Sequence, residues 1–393
     1  MTFGSAVNPL YSIPVILIAL LLAHVLADRG VALPVDHGRY ESLDGLRGFA
    51  ALFVFIHHAA IWYYYATTHV WTVPPSNLYT QYGEGAVTMF FLLTSFLFWT
   101  KLAKTDTPVS WVQFYSSRIC RIAPLYFVSM LLLAAVALWV SHGAAFWTRG
   151  TGDALLRIAA FTPGGVPNLF GVHDTFVINA GVTWTLPYEW WFYLALPVLL
   201  SMVIRGDQHY GILLTALLLL VLARDAPLSV HMLGIFGFGI LTSVLLSSGA
   251  ATPIQKALSG WLGSVLIVMS SAVIVLRYGS AYAFGPLALY FLIFLIIAAG
   301  NTLFGLLTST AARKLGQVSY SVYLLQGFVL YGAFTWLLGH GTPAIQSPLA
   351  HWLLAYACVS VLVLISVVSY LIVEKPMIAR ARPFSRWLQK VLS

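Results

Sequence analysis

Two ionisable residues, Arg47 and His58, sit eleven positions apart inside one apolar stretch. The segment opens Glu41-Ser42-Leu43-Asp44-Gly45-Leu46-Arg47-Gly48 and then stays apolar to His57-His58. On an α-helix, eleven steps return to within roughly 20° of the start and advance about 16 Å. Arg47 and His58 therefore share one stripe without touching, and His57 points elsewhere. A guanidinium at one end of such a stripe can hold an anion, and an imidazole at the other can move a proton near neutral pH. Arg118 and Arg121 form a second constellation. Three apart on a helix, they share a face, and two guanidinium forks suit phosphate oxygens. A lone carboxylate, Glu189, completes the set. Each group also has a plain structural reading. A His or Glu in an apolar helix often bonds a neighbouring helix, and paired basic residues often mark a cytoplasmic helix end.

The elements that must position these groups are membrane spans. The chain is 60% hydrophobic and only 8% charged, against about 25% charged residues in soluble domains. Runs of about 20 apolar residues are long enough to cross a bilayer. Eleven candidate spans follow, at 10–27, 44–65, 84–102, 121–142, 183–204, 208–224, 229–248, 258–277, 284–307, 317–339 and 350–373. This predicts an all-α integral membrane protein with about eleven transmembrane helices and no large soluble domain. Basic residues concentrate in alternate loops: Arg29 and Arg39, then Lys101, Lys104 and Arg118, Arg205, Lys256, Arg313 with Lys314, and the tail from Lys375 to Lys390. Positive residues stay cytoplasmic, so the N-terminus is expected outside and the C-terminus inside.

The net charge of +8 is then topology, and no nucleic-acid partner is expected, only membrane lipids. Cys120 and Cys358 read as buried small hydrophobes, and no Cys/His spacing suggests a metal. The first span lacks a basic leader, which argues for a retained helix over a signal peptide. In the long loop 143–182, Ala154 to Phe161 around Arg157 reads as a short interfacial helix. The tail from Arg380 to Lys390, with Trp387, reads as a basic anchor on the membrane surface. Trp62, Tyr63, Tyr64 and Tyr65, with Trp190 and Trp191, fit an interfacial aromatic belt better than a sugar-stacking platform.

Depth adds one relation. If Asp44 starts its span on the cytoplasmic side, His58 is about 21 Å deep, which leaves about 9 Å to the outer face of a roughly 30 Å core. Glu189, entering from outside near Thr183, lies at a similar depth of about 9 Å. A carboxylate and an imidazole at matched depth are expected to pair, the carboxylate orienting the ring and stabilising its charged form. Asp44 either fixes Arg47 or caps the helix.

These residues resemble the acyltransferase-3 family of integral membrane acyltransferases. Leu43-Asp44-Gly45-Leu46-Arg47-Gly48 through His58 is similar to its N-terminal signature. Arg118-Ile119-Cys120-Arg121-Ile122 before Pro124 is similar to its Arg-x-x-Arg motif. Trp184-Thr185-Leu186-Pro187-Tyr188-Glu189, with Phe192-Tyr193 and Pro197, resembles its mid-chain segment. Gly316-Gln317-Val318-Ser319-Tyr320-Ser321-Val322-Tyr323-Leu324-Leu325 and Glu374-Lys375-Pro376 resemble its C-terminal marks. The likeness runs in order from about residue 41 to 378. It implies a ten-helix core at 41–378, an added N-terminal helix and cytoplasmic loop at 1–40, and a basic cytoplasmic tail at 379–393. Two departures stand out. Ser95 occupies the place of the family's Gly in Phe90-Phe91-Leu92-Leu93-Thr94-Ser95-Phe96, which bears on how closely two helices approach. Gln326 stands where a His is frequent, and Gln is neither acid nor base near neutral pH.

The resemblance implies transfer of an acyl group, commonly acetyl from acetyl-CoA, to a hydroxyl of a cell-surface or lipid-linked glycan such as lipopolysaccharide. The place would be the bacterial inner membrane. Acetyl-CoA would be a co-substrate, with no permanently bound cofactor. His58 would serve as general base or as acyl relay, and Glu189 would orient or charge it. Arg118 and Arg121 would hold the CoA phosphates, with Arg47 further along the path beside Asp44. Trp184, Tyr188, Tyr323 and Gln326 would contact substrate. The rival is a proton-coupled transporter or flippase of a glycan or lipid intermediate, which also needs polar groups on a transmembrane path. Transporters tend to show repeated halves, and no such symmetry is visible. The sequence does not fix the oligomeric state.

Overall fold

The computed structural model describes residues 5–29, 31, 33, 40–103, 109–142, 150–204, 228–247, 252–337 and 347–392. Among them, six helices are long and apolar enough to cross a membrane: Pro9–Leu26, Glu41–Thr68, Asn77–Ala103, Trp111–Val140, Val230–Ser247 and Pro348–Val391. Trp261–Arg277 and Phe284–Ala298 are shorter apolar helices. The described chain is all-helical, as expected of a multi-pass membrane protein. The expected span at 208–224 lies outside the described residues.

The helices are α1 (Ser12–Asp28), α2 (Glu41–Thr68), α3 (Asn77–Ala103), α4 (Trp111–Val140), α5 (Thr151–Ala159), α6 (Leu186–Ile204), α7 (Leu228–Ser247) and α8 (Thr252–Ser259). They continue with α9 (Trp261–Arg277), α10 (Phe284–Ala298), α11 (Thr310–Gln317), α12 (Ser319–Tyr331), α13 (Pro348–Ser369), α14 (Lys375–Ala379) and α15 (Ala381–Leu392). Helix α2 is central and packs on α3, α11 and α12. Its first turn carries Glu41 and Asp44, where carboxylates complement the positive end of the helix. The segment leading into α1 is held from two other helices. Tyr79 donates to the Asn8 carbonyl at 2.8 Å and Trp352 to that of Ala6 at 2.8 Å.

Several boundaries differ from the expected spans for identifiable reasons. The expected span 284–307 ends as a helix at Ala298. Gly300 takes a φ of +109°. The buried Asn301 side chain then binds the carbonyls of Leu258 and Gly260 at 2.9 and 2.8 Å and the Ser264 hydroxyl at 2.9 Å. Helix α4 begins at Trp111, so Arg118 and Arg121 lie inside a helix and not at its mouth. The α5 stretch is helical as expected, with Leu155 and Leu156 exposed. The chain after it stays at the surface through Gly171, His173 and Asp174 and then turns inward. Thr162, Thr175, Asn179 and Thr183 are all buried. A Cβ on Gly327 of α12 would lie 2.1 Å from the Asn179 carbonyl carbon, so only glycine admits this segment. The segment re-enters the protein, and α6 therefore starts inside the bundle.

The departure at Ser95 is absorbed by its neighbour. Its hydroxyl turns back onto the carbonyls of Phe91 and Leu92 at 2.9 and 3.1 Å. Helix α7 meets it with Gly239, where a Cβ would lie 2.0 Å from Ser95 Oγ and 2.3 Å from the Leu92 carbonyl oxygen. The close approach is kept, with the small residue on the other helix. Gly239→Ala is expected to cost about 1–3 kcal/mol by overpacking, read as a lower thermal midpoint in detergent. Adding Ser95→Gly should recover part of the loss. An unchanged midpoint in the single variant would contradict this contact.

Candidate functional site

Two cavities lie toward opposite ends of α2. The first, about 730 Å³, is lined by Arg47, Lys101, Arg118, Arg121 and Glu189, together with Tyr193, Thr185, Phe90 and Tyr323. Four cations against one carboxylate give its wall a net positive charge. The second, about 600 Å³, is lined by His57 and His58 of α2, Trp71, Phe176, Trp184 and the glycines Gly164, Gly165 and Gly181.

In the basic cavity, Asp44 pairs with Arg47 at 3.3 Å. The cap of α2 is Tyr40, with no side-chain capping bond. Of the two readings of Asp44, holding Arg47 is the one the geometry carries. Arg121 meets Glu374 at 3.1 Å, and Glu374 is fully buried. Glu374 ends a π-helical turn, Tyr370–Glu374, that follows α13, and it also accepts from the Ser321 hydroxyl. Arg121 is thus committed to the protein on one edge. Arg118 is less so. It donates to Ser117 Oγ at 3.0 Å and stacks over Phe98 at 4.6 Å, and its Nε has no hydrogen-bond partner among the described residues. Arg118 also interacts with Tyr193 and Glu189, and it lines the basic cavity.

Glu189 is not beside His58. It accepts from Tyr193 Oη at 3.1 Å, and Arg118 and Arg47 are the cations close enough to act on it. The expected His58–Glu189 pair is therefore a correction. Because the re-entrant segment carries the start of α6 into the bundle, Glu189, in its first turn, reaches the depth of the basic cavity. Beside the His58 ring lie the Val54 carbonyl and the Gln326 amide. Neither is in good hydrogen-bond geometry to Nδ1, which has no partner among the described residues. His57 shares the second cavity, but its Nδ1 is held 2.7 Å from the Tyr79 carbonyl, a structural bond.

A packed layer of Ala50, Val54, Ala86, Ala180, Val182 and Tyr323 touches both cavities, with Tyr323 on the wall of the basic one and Ala180 on that of the histidine one. Tyr323 Oη donates to the Val182 carbonyl at 2.8 Å and lies 3.0 Å from Thr185 Oγ1. Its ring packs on Phe90 at 5.9 Å. The 3₁₀ turn Val182–Thr185 serves both sides, sending Thr185 into the basic cavity and Trp184 into the histidine cavity. One helical turn beyond Tyr323, Gln326 is fully buried at His58 and donates to the Tyr323 carbonyl at 3.1 Å. Tyr188 lines neither cavity and packs among Trp184, Trp191 and Phe91.

The aromatic belt holds only in part. Trp191 is exposed, whereas Trp62 is buried and stacks on Phe334 at 5.8 Å. Trp71, at 6.1 Å from the His58 ring, had no motif or periodicity to announce it. Nor did the role of Arg157, which binds the carbonyls of Pro163, Gly164 and Gly165 at 3.2, 3.0 and 3.0 Å and so shapes the wall of the histidine cavity. Tyr193 and Glu374 do lie inside recognisable segments, but their partners are visible only in three dimensions. Glu374→Ala would strand a buried guanidinium edge and the Ser321 hydroxyl. A loss of about 3–5 kcal/mol is expected from breaking such a pair, read by thermal unfolding. A loss under about 1 kcal/mol would match a solvent-screened pair instead.

A family model described as an acyltransferase domain matches residues 40–372. Helix α1 precedes the matched part. A relative, acyltransferase MdmB of Streptomyces mycarofaciens, is 31% identical over 165 residues. That match covers 41% of this chain and 39% of the relative, so it spans about two fifths of either. No solved structure matches.

Proposed function

The chain belongs to the acyltransferase-3 family, and on that premise we propose that it moves an acyl group, acetyl first among candidates, from a cytoplasmic acyl-CoA to a sugar hydroxyl of a cell-surface or lipid-linked glycan. The observation that carries this reading is the pair of cavities on one helix, basic at Arg118 and bearing His58 at the other end. The basic cavity suits a polyphosphate donor. Arg118, on the cavity wall, takes a phosphate. Arg47, held by Asp44, and Arg121, held by Glu374, add positive field. Glu189 and Tyr193 orient Arg118, which replaces the role expected for Glu189 at the histidine.

His58 works from the other cavity. An acceptor hydroxyl gives its proton to the imidazole as its oxygen bonds to the acyl carbon. The carbon–sulfur bond breaks, and the leaving thiolate takes up a proton. Alternatively His58 first receives the acyl group and passes it on as a relay. Either route sends the acyl group past the layer at Tyr323, while CoA stays on the basic side. Trp71, Phe176 and Trp184 offer apolar ring faces to an acceptor beside His58. In this reading the chain spans the bacterial inner membrane eleven times, with the N-terminus outside, which the distribution of Lys and Arg supports.

The test is release of free CoA from acetyl-CoA by the purified chain, with and without a membrane glycan extract. Acceptor-dependent release is expected. If acetyl-CoA is untouched, and the chain instead moves a lipid-linked sugar across a vesicle bilayer, the transporter reading replaces this one.

A further inference from the structure

Helix α15 has two unlike flanks where it packs along α4. On one side an apolar groove of about 690 Å³ runs between the helices, lined by Ile119, Ala123 and Phe127 of α4 and by Arg380, Phe384 and Trp387. On the other side a polar recess holds Arg382, Arg386 and Gln389 with Gln113. Phe384 and Trp387 fall on one stripe of α15, with Arg380 in the turn just before its start, and 382, 386 and 389 fall on another stripe. The polar stripe faces water if the helix lies in the membrane surface, and the apolar groove then opens to lipid. Trp387 is 57% exposed at the groove, and Phe384 stacks on it at 6.0 Å. The groove's one charged wall residue is Arg380, whose guanidinium makes a long hydrogen bond to Met377 Sδ, 3.9 Å. From Lys375 to the C-terminus there are five basic residues and no acidic one.

We propose that this groove is a site for one anionic phospholipid, its acyl chain along Phe127, Phe384 and Trp387 and its phosphate on Arg380. A plain surface anchor would need only the amphipathic helix. A groove with a single cation at its wall selects in addition for a headgroup whose net charge is negative. The uncharged floor accepts any acyl chain, so selectivity rests on the headgroup, and positive charge along the helix adds attraction to anionic lipid. The site is independent of acyl transfer. It would brace α15 against the face of α4 opposite Arg118 and Arg121.

The full-length chain in detergent is titrated with dioleoyl phosphatidylglycerol or dioleoyl phosphatidylcholine at equal mole fraction. Thermal unfolding is read, together with lipid retained in native mass spectrometry. Phosphatidylglycerol is expected to raise the midpoint by a few degrees more than phosphatidylcholine and to be retained on the protein. Arg380→Gln should abolish the difference, and Arg386→Gln, on the polar stripe, should keep it. Trp387→Ala should lower retention of both lipids. Equal shifts from the two lipids, or a preference that survives Arg380→Gln, would overturn the proposal. If Arg380→Gln does not fold, a wild-type preference that Arg386→Gln abolishes would overturn it equally, and one that Arg386→Gln keeps while Trp387→Ala lowers retention of both lipids would support it.

Discussion

His58→Ala is expected to lower acyl transfer by about 10²–10⁴-fold, the span that a positioned general base contributes, while the protein unfolds at its usual temperature. The contrast with its neighbour makes the result informative. His57 and His58 line the same cavity, but His57 is bonded to the Tyr79 carbonyl whereas His58 Nδ1 is unpartnered. His57→Ala should therefore act mainly on stability, leaving a buried carbonyl unpaired at a cost of about 1–3 kcal/mol. Both variants are made, and transfer is measured per folded molecule. Transfer retained in His58→Ala, or lost equally in both, would remove His58 from the chemistry.

Arg118→Ala is expected to raise the KM for acyl-CoA on the order of 10- to 100-fold. A hydrogen bond to a charged group is worth about 1.5–3 kcal/mol, and each 1.4 kcal/mol is about tenfold in affinity. The turnover rate at saturating donor should change far less. Arg118 is chosen over Arg121 because Arg121 is already held by Glu374, so its loss mixes binding with folding. Arg118→Lys should recover only part, since an ammonium replaces charge but not the planar fork. A normal KM in Arg118→Ala would place the donor elsewhere.

Much of this site is legible in the sequence. The apolar composition requires a membrane protein, and the spacing of Arg47 and His58 already puts the two at different depths on one stripe. The Arg118 and Arg121 spacing correctly brings both to one cavity. What fails is the placement of Glu189. A helix entering at the surface sets its expected depth, whereas residues 175–185 fold back into the protein, with left-handed positions at Phe161, Thr162, Phe170, Asp174 and Ala180 along the way. Non-glycine residues adopt that region at a cost, and nothing in their types announces it. The end of α10 at Ala298 is of the same kind, because an Asn with three tertiary partners overrides an apolar run that would otherwise continue. Helix propensity and hydropathy are local, whereas the partners of Glu189, Glu374 and Asn301 come from distant segments. Ser95 carries a further lesson. Its departure from the family's glycine had no visible compensation in its own segment, because the compensating glycine is on another helix.

In the proposed mechanism, donor and acceptor are served by different cavities, with the acyl group passing between them. Sidedness tests it most directly. Sealed inside-out membrane vesicles carrying the chain are given acetyl-labelled acetyl-CoA from outside, and the label and the CoA are followed separately. Label in glycan on the lumenal side and free CoA outside are expected, with neither product in vesicles bearing His58→Ala. Label that stays on the outer side, or transfer that requires acetyl-CoA inside the lumen, would contradict it.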